Sequence, residues 1–422
     1  MVKTKFFQAF GVISSAMIWT VVGCSGGSDN GSTANGGSGN GSGGQTSAGG
    51  SAGQTGQTGS SSSGNGGQGG SINPTAVAMF IAQGHMGRTI VSCDDGQTWV
   101  ANRSDDDAYP CFSDANHDCD HNPGAGRGIT YGAGYFVATF GWGQPGAIRR
   151  SRNGTDWENT LVGKTFAGVV FGNDRFLAGE RPPQFSTDNA GMWTPGGDPD
   201  SMVWNVRRTG FAPHDGGRFF LAFESGGTRD LNVSSDGGMT WKRPATLPAE
   251  CAGDMQWSGG FAYGNGSALV LGGTGIACVS KDGGDTWTAT NIGGTVDSRL
   301  LWDGSMFVTW GRADNGGGGT FPAQFTSADG VTWKSTAISV RTKNPDGTTQ
   351  MNPGPDLGAV ARSDAGTYVG VNGGWQQWYD KQKFYRSNDG VTWDALEVTK
   401  FVGGHPIQFI AFGMGERGGA CP

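Results

Sequence analysis

One short motif recurs along this chain, and it constrains the fold more than any other feature. Residues 92–99 read S-C-D-D-G-Q-T-W, residues 234–241 read S-S-D-G-G-M-T-W, and residues 280–287 read S-K-D-G-G-D-T-W. Shorter copies end at Trp333 and Trp393, and two looser copies end at Trp157 and Trp193, which makes seven. Their serines (92, 151, 186, 234, 280, 327 and 387) lie 35 to 60 residues apart. Self-similarity at that spacing marks a repeat architecture, and one period suits a four-stranded propeller blade.

The motif reads as a turn rather than as chemistry. Glycine at a left-handed position lets the Ser and Asp side chains bond neighbouring backbone N–H groups, while Thr and Trp lead into the next strand. Seven of the 15 tryptophans occupy this one place, as a structural staple requires. An active site is needed once, and this turn is written seven times. Its one or two carboxylates are also too few for calcium, which takes six or more oxygens.

The rest of the sequence agrees. Among 422 residues there are 80 glycines and only 15% charged side chains, and short Val, Ile, Phe, Tyr and Thr runs alternate with Gly, Asn and Asp clusters. That pattern predicts an all-β chain. The formal charge of -7, with no Lys/Arg block beyond the first residues, excludes the electrostatic footprint of a nucleic-acid binder.

The S-x-D-x-G-x-T-W pattern resembles the Asp-box, or bacterial neuraminidase repeat, of sialidases, xyloglucan-cleaving endoglucanases, sortilin-type receptors and photosystem II assembly propellers. The resemblance spans residues 74–422. It implies a β-propeller and leaves function open, because the same turn decorates enzymes, receptors and assembly factors.

Each box follows a hairpin, as in "GITYGAGYFVATFG" and "GGFAYGNGSALVLGG", so a blade runs as an inner strand, a short turn, a second strand, a variable loop, a third strand, the box and an outer strand. The first blade lacks its inner strand, since residues 76–83 already read as its second. The missing strand reads at 406–413, so the chain ends share one blade and close the ring. Seven blades follow, or six if the looser copy at Ser186 is not a full blade. Inner turns and boxes then share one face, and the longer connections share the other, with insertions at 103–126, 311–323, 340–356 and 371–382. Variable loops on a rigid scaffold are where function is expected.

The first 23 residues carry Lys3, Lys5 and an apolar run, the shape of a secretory signal. The run ends in "VVGC", which resembles a bacterial lipobox with Cys24 as the acylated residue, and Ser25 resembles the pattern that permits export to the outer membrane. Two or three acyl chains would anchor the protein, where one alone holds only marginally. Residues 24–73, nearly all Gly, Ser, Asn, Gln, Thr and Ala, read as a flexible tether with an r.m.s. reach of roughly 35–40 Å.

Six further cysteines in an exported chain imply three disulfides, with fifteen connectivities open from sequence alone. Blade topology favours Cys93 with Cys421, Cys111 with Cys119, and Cys251 with Cys278.

Candidate sites fall on the long-loop face. Asp114, Asn116, Asp118 and Asp120 alternate like the start of an EF-hand loop, without its Gly or distal Glu, so calcium is weighed against a solvated acidic loop. His117 and His121 offer a poorer transition-metal set. Trp142, Trp375, Trp378 and Tyr379 suit stacking on sugar rings or peptide side chains, or else they roof the core. Arg127, Arg181, Arg229, Arg312 and His405 supply polar neighbours. A sialidase is disfavoured, for the arginine motif of that family is missing and only Tyr109, Tyr379 and Tyr385 are placed to approach this face. A glycoside hydrolase would draw on Glu180, Glu224 or Asp230 as its carboxylates. The sequence therefore points to an envelope lipoprotein, at the outer membrane rather than the inner. Its propeller is expected to bind or scaffold a glycan or protein partner without a cofactor, calcium being the one alternative weighed, and hydrolysis of carbohydrate is the alternative function.

Overall fold

The computed structural model describes residues 76–84, 87, 89–101, 125–141, 146–199, 205–225, 228–253, 260–373, 383–396 and 407–422, with 101, 205–207, 223–225, 228–229 and 252–253 described by backbone alone. Seven separate sheets form, one for each copy of the motif. Their inner strands are Ile407–Glu416, Ala125–Gly132, Val169–Gly172, Asn205–Ala212, Gly260–Gly264, Leu301–Trp302 and Leu357–Arg362. Inner strands of successive blades lie against one another, except that the seventh meets the sixth blade at Phe307–Asp314, and the series returns to its start, so the sheets are blades around a central channel. The protein is a seven-bladed β-propeller.

The first blade joins the two ends of the described chain. Ile407–Glu416 pairs antiparallel with Ala76–Gly84, in register from Ala76 opposite Glu416 to Gly84 opposite Ile407. Thr89–Ser92 and Val100–Ala101 complete that blade.

Three blades depart from four even strands. In the fourth, the outer strand shrinks to a single bridge between Val233 and Lys242. In the sixth, Gly294–Val296 and Leu301–Trp302 both pair with Phe307–Asp314, so its inner strand is interrupted at 297–300. The seventh gains a hairpin, Ser339–Lys343 with Thr349–Pro353, whose first strand runs parallel to the outer strand Thr392–Leu396. Two stretches expected as long loops are thus mainly strand. Residues 311–323 extend the pairing of Phe307–Asp314 with Thr320–Ser327, and 340–356 is mostly the added hairpin. Ile338 and Val340 explain the hairpin's docking, since both are buried against the cluster that holds Trp310 and Trp393.

The core is divided among the gaps between blades. Seven hydrophobic clusters occupy seven gaps, for example Val170 and Leu177 of the third blade with Phe219 and Leu221 of the fourth. Strands covered on both faces do not alternate apolar and polar residues, and Ser267–Leu271 is buried throughout.

A repeated fit positions neighbouring blades. Near the end of an inner strand, a glycine lies under an aromatic ring from the next blade. The pairs are Gly413 with Tyr131, Gly132 with Phe171, Gly172 with Phe211, Gly210 with Phe261, and Gly264 with Trp302. A Cβ at Gly172 would lie 2.2 Å from Phe211 Cγ, inside its van der Waals radius. The absent side chain is therefore what lets the rings seat.

Each box closes on itself. In the fifth blade, Ser280 Oγ donates to Asp282 Oδ1 (2.8 Å) and accepts the Gly284 N–H (2.8 Å), while the Thr286 N–H (2.9 Å) and hydroxyl (2.5 Å) donate to Asp282. The Trp287 indole N–H donates to the Gly284 carbonyl at 2.9 Å. Gly284 needs its positive φ of 97°, and a Cβ there would sit 2.5 Å from Phe220 of the preceding blade. Box and blade contact are therefore one device. The third box departs from the set, because its Trp193 indole donates instead to Thr160 Oγ1 of the second blade, at 2.9 Å.

Two disulfides lie among the described residues. Cys93 within the first box is joined to Cys421 after the closing strand, and Cys251 in the short helix Ala249–Gly253 is joined to Cys278 of the fifth blade. Cys111 and Cys119 fall outside the described residues, as do Cys24 and the calcium candidates Asp114, Asn116, Asp118 and Asp120.

Candidate ligand-binding face

The two faces differ in how far their polar groups satisfy one another. On the box face the carboxylates are consumed by the turn. Burial raises the Asp282 carboxyl, but the donors of Thr286, Ser280 and the Asp285 N–H outweigh it and bring the pKa to about 2. Asp94, Asp188, Asp236, Asp329 and Asp389 are lowered by equivalent sets of donors. Groups held so far into the ionised state make poor general acids or bases at neutral pH.

On the opposite face the inner strands deform. In four blades one extra residue bulges from the inner strand near its start: Gln408 in the first, Arg127 in the second, Arg207 in the fourth, and one within 358–359 in the seventh. The sixth blade is interrupted at the same level. Bulges bend the strand that carries them, and these four lie at one end of the inner strands.

The channel mouth holds Arg299, from the interrupted stretch of the sixth blade. Its guanidinium carbon lies 4.5 Å from the ring centroid of Phe409 on the first blade. Its Nη1 lies 3.5 Å from where a Cβ would stand on Gly260 of the fifth blade, and Arg208 Cδ of the fourth blade approaches the same point to 4.0 Å. Burial pulls the Arg299 guanidinium down to about 10, which leaves it charged at neutral pH. Among the described residues no carboxylate is paired with it. Nothing local in the sequence marks this residue, because its setting arises only where four blades meet.

Arg312, one of the expected binding residues, is on this face. It donates to Asp356 Oδ1 at 2.7 Å and to Thr320 Oγ1 at 2.9 Å. Asp297 lies in the same group, and burial, aided by Asp356 and opposed by Arg312, raises its carboxyl. Arg181, 3.9 Å from Asp198, follows Glu180 in a loop of the third blade. Burial raises the Glu180 carboxyl against an N–H from Arg181 and the charge of Lys164, and its Oε2 has no hydrogen-bond partner.

The other hydrolytic candidates belong to the fourth blade. Asp230 is committed to Arg243 (2.6 Å) and to the Leu231 N–H (2.9 Å). Glu224 is placed only by backbone register, opposite Arg229. Tyr385 is buried in the gap between the sixth and seventh blades rather than on the face. Trp142, Trp375, Trp378, Tyr379 and His405 lie outside the described residues. No group of three or more His, Cys, Asp or Glu side chains suited to a metal occurs among the described residues.

No protein-family model matches this chain, and no curated protein matches it in sequence. Several solved structures are similar in shape. A structure described as YCF48 bound to D1 peptide is 13% identical, with 71% of this chain and 91% of the other covered, at a TM-score of 0.43. A functionally unknown protein from Desulfotomaculum acetoxidans is 11% identical, with 79% and 99% covered, at 0.45. AztD from Citrobacter koseri is 12% identical, with 82% and 99% covered, at 0.42. The seven sheets, and not these likenesses, establish the ring.

Proposed function

We propose that this protein is an exported lipoprotein of the Asp-box type. Acyl chains on Cys24 hold it to the outer membrane, residues 24–73 form the tether, and the propeller of residues 74–422 binds a protein or glycan partner through its long-loop face. One observation carries the choice of face. The box carboxylates are saturated by their own turns, whereas the opposite rim presents the Arg312, Asp356 and Asp297 group and the half-buried Glu180 carboxyl. The same contrast favours binding over hydrolysis. A glycosidase needs two carboxylates flanking the scissile bond, and Asp230 is held by Arg243.

The test is an array of glycans and peptides probed with the full chain. Binding lost on Arg312→Ala and retained on Met239→Asp, an exposed position in the fourth box, supports the reading. Binding lost only on the box-face substitution would place the interface on the wrong side. Turnover of a bound glycan, abolished by Glu180→Gln, would replace binding by hydrolysis. Incorporation of labelled fatty acid, lost on Cys24→Ala, checks the anchor separately.

A further inference from the structure

A second site follows from the channel, and it stands whether or not the rim engages a partner. Enclosing a charged guanidinium without a counter-charge is unfavourable, and folded proteins usually pair such groups or neutralise them. Arg299 is neither neutralised at physiological pH nor paired with a carboxylate among the described residues. Asp297, two residues away, is engaged with Arg312 and Asp356 instead. Phe409 covers one side of the guanidinium and leaves its N–H edge free to donate.

Space and the stem of a second arginine lie beside it. At Gly260, φ is +91° and there is no side chain at the point on which Arg299 and Arg208 converge. Gln408 Nε2, on the bulge preceding Phe409, is a buried donor without an acceptor. A half-buried guanidinium beside an open recess attracts one class of ligand, an anion able to accept several hydrogen bonds.

We propose that the long-loop end of the central channel is an oxyanion-binding site, with Arg299 as its principal donor and Arg208 beside it. The ligand is a phosphate, sulfate or carboxylate group, free or carried on a larger molecule small enough to enter the channel mouth. Guanidinium geometry suits all three, since each offers two oxygens to parallel N–H donors.

Calorimetric titration of the full chain with inorganic phosphate, sulfate and acetate, at constant ionic strength, tests this. Saturable binding of phosphate or sulfate with acetate silent assigns a tetrahedral oxyanion, and the reverse assigns a carboxylate. Either result supports the site if Arg299→Gln weakens binding by at least ~10-fold, the scale of one charge-assisted contact. Arg299→Lys, which keeps the charge and loses the fork, should retain part of it. Thermal unfolding without added anion separates ligand binding from a structural role. Removing a charge that no described carboxylate compensates should leave Arg299→Gln as stable as the parent or more so, whereas a guanidinium that serves only to plug the channel against Phe409 predicts a loss. Silence of all three anions on the parent protein, equal binding by Arg299→Gln, or destabilisation of that variant without anion would each overturn the proposal.

Discussion

At the scale of single residues, the box aspartates tie the stability of each turn to pH. Asp282 titrates at about 2 when folded and near the ordinary aspartate value of 3.8 when unfolded. Its folded pKa is the lower, so its contribution is present above about pH 4 and is lost as pH falls through the folded value. Discounted for its exposure to water, the contribution is about 1 kcal/mol. Asp282→Asn should therefore cost about that much in denaturant unfolding at pH 6 and almost nothing near pH 2. Because Asp94, Asp188, Asp236, Asp329 and Asp389 shift in the same direction, the parent protein should lose stability steeply between those limits. Trp310 makes a second residue-level case. Its indole and that of Trp393 both donate to the Gly390 carbonyl, at 2.8 and 3.0 Å, so the sixth blade is hydrogen-bonded to the seventh box. Trp310→Phe keeps a ring in the gap and removes one donor, and it should cost about 1 kcal/mol in the same measurement. The boxes were legible in the sequence because each is a local device, written within eight residues. Arg299 was not, because nothing in its own neighbourhood of sequence distinguishes it from any other arginine.

At the scale of elements, the seating of rings over glycines sets the spacing between blades. Gly172→Ala would drive a methyl into Phe211. Overpacking at a site walled by strands should cost about 1–3 kcal/mol, read as a fall in the denaturation midpoint with an unchanged slope. The blade hairpins were readable from their apolar runs and short turns. The hairpin at Ser339–Lys343 and Thr349–Pro353 was not, because its strands mix charged and polar residues, and only Ile338 and Val340 betray a buried side. Its ion pair between Arg341 and Asp394, at 2.7 Å, is exposed on both sides. Arg341→Ala should therefore change stability by less than about 1 kcal/mol. Packing of Ile338 and Val340, not the ion pair, holds the hairpin to the outer edge.

At the scale of the whole molecule, ring closure depends on the pairing of Ile407–Glu416 with Ala76–Gly84 and on the bond between Cys93 and Cys421, which are 328 residues apart. A cross-link across so long a loop removes much freedom from the unfolded chain. Replacing both cysteines with serine should cost roughly 2–5 kcal/mol by loop-closure reasoning. Amide exchange should quicken first in those two strands. The seam has a second clasp, where Arg386 and Thr367 of the seventh blade reach Asp95 of the first box at 2.9 and 2.5 Å. Closure was legible because a blade with no inner strand at its start and a spare strand at the end admit one assembly.

The shared blade also sets a timetable. A growing chain delivers its blades in order, yet the first must wait for Ile407–Glu416. Until those residues are delivered, the strand at Ala76–Gly84 has an open edge and the circle cannot shut. Loss of the last sixteen residues should therefore strand an otherwise complete chain in an arc.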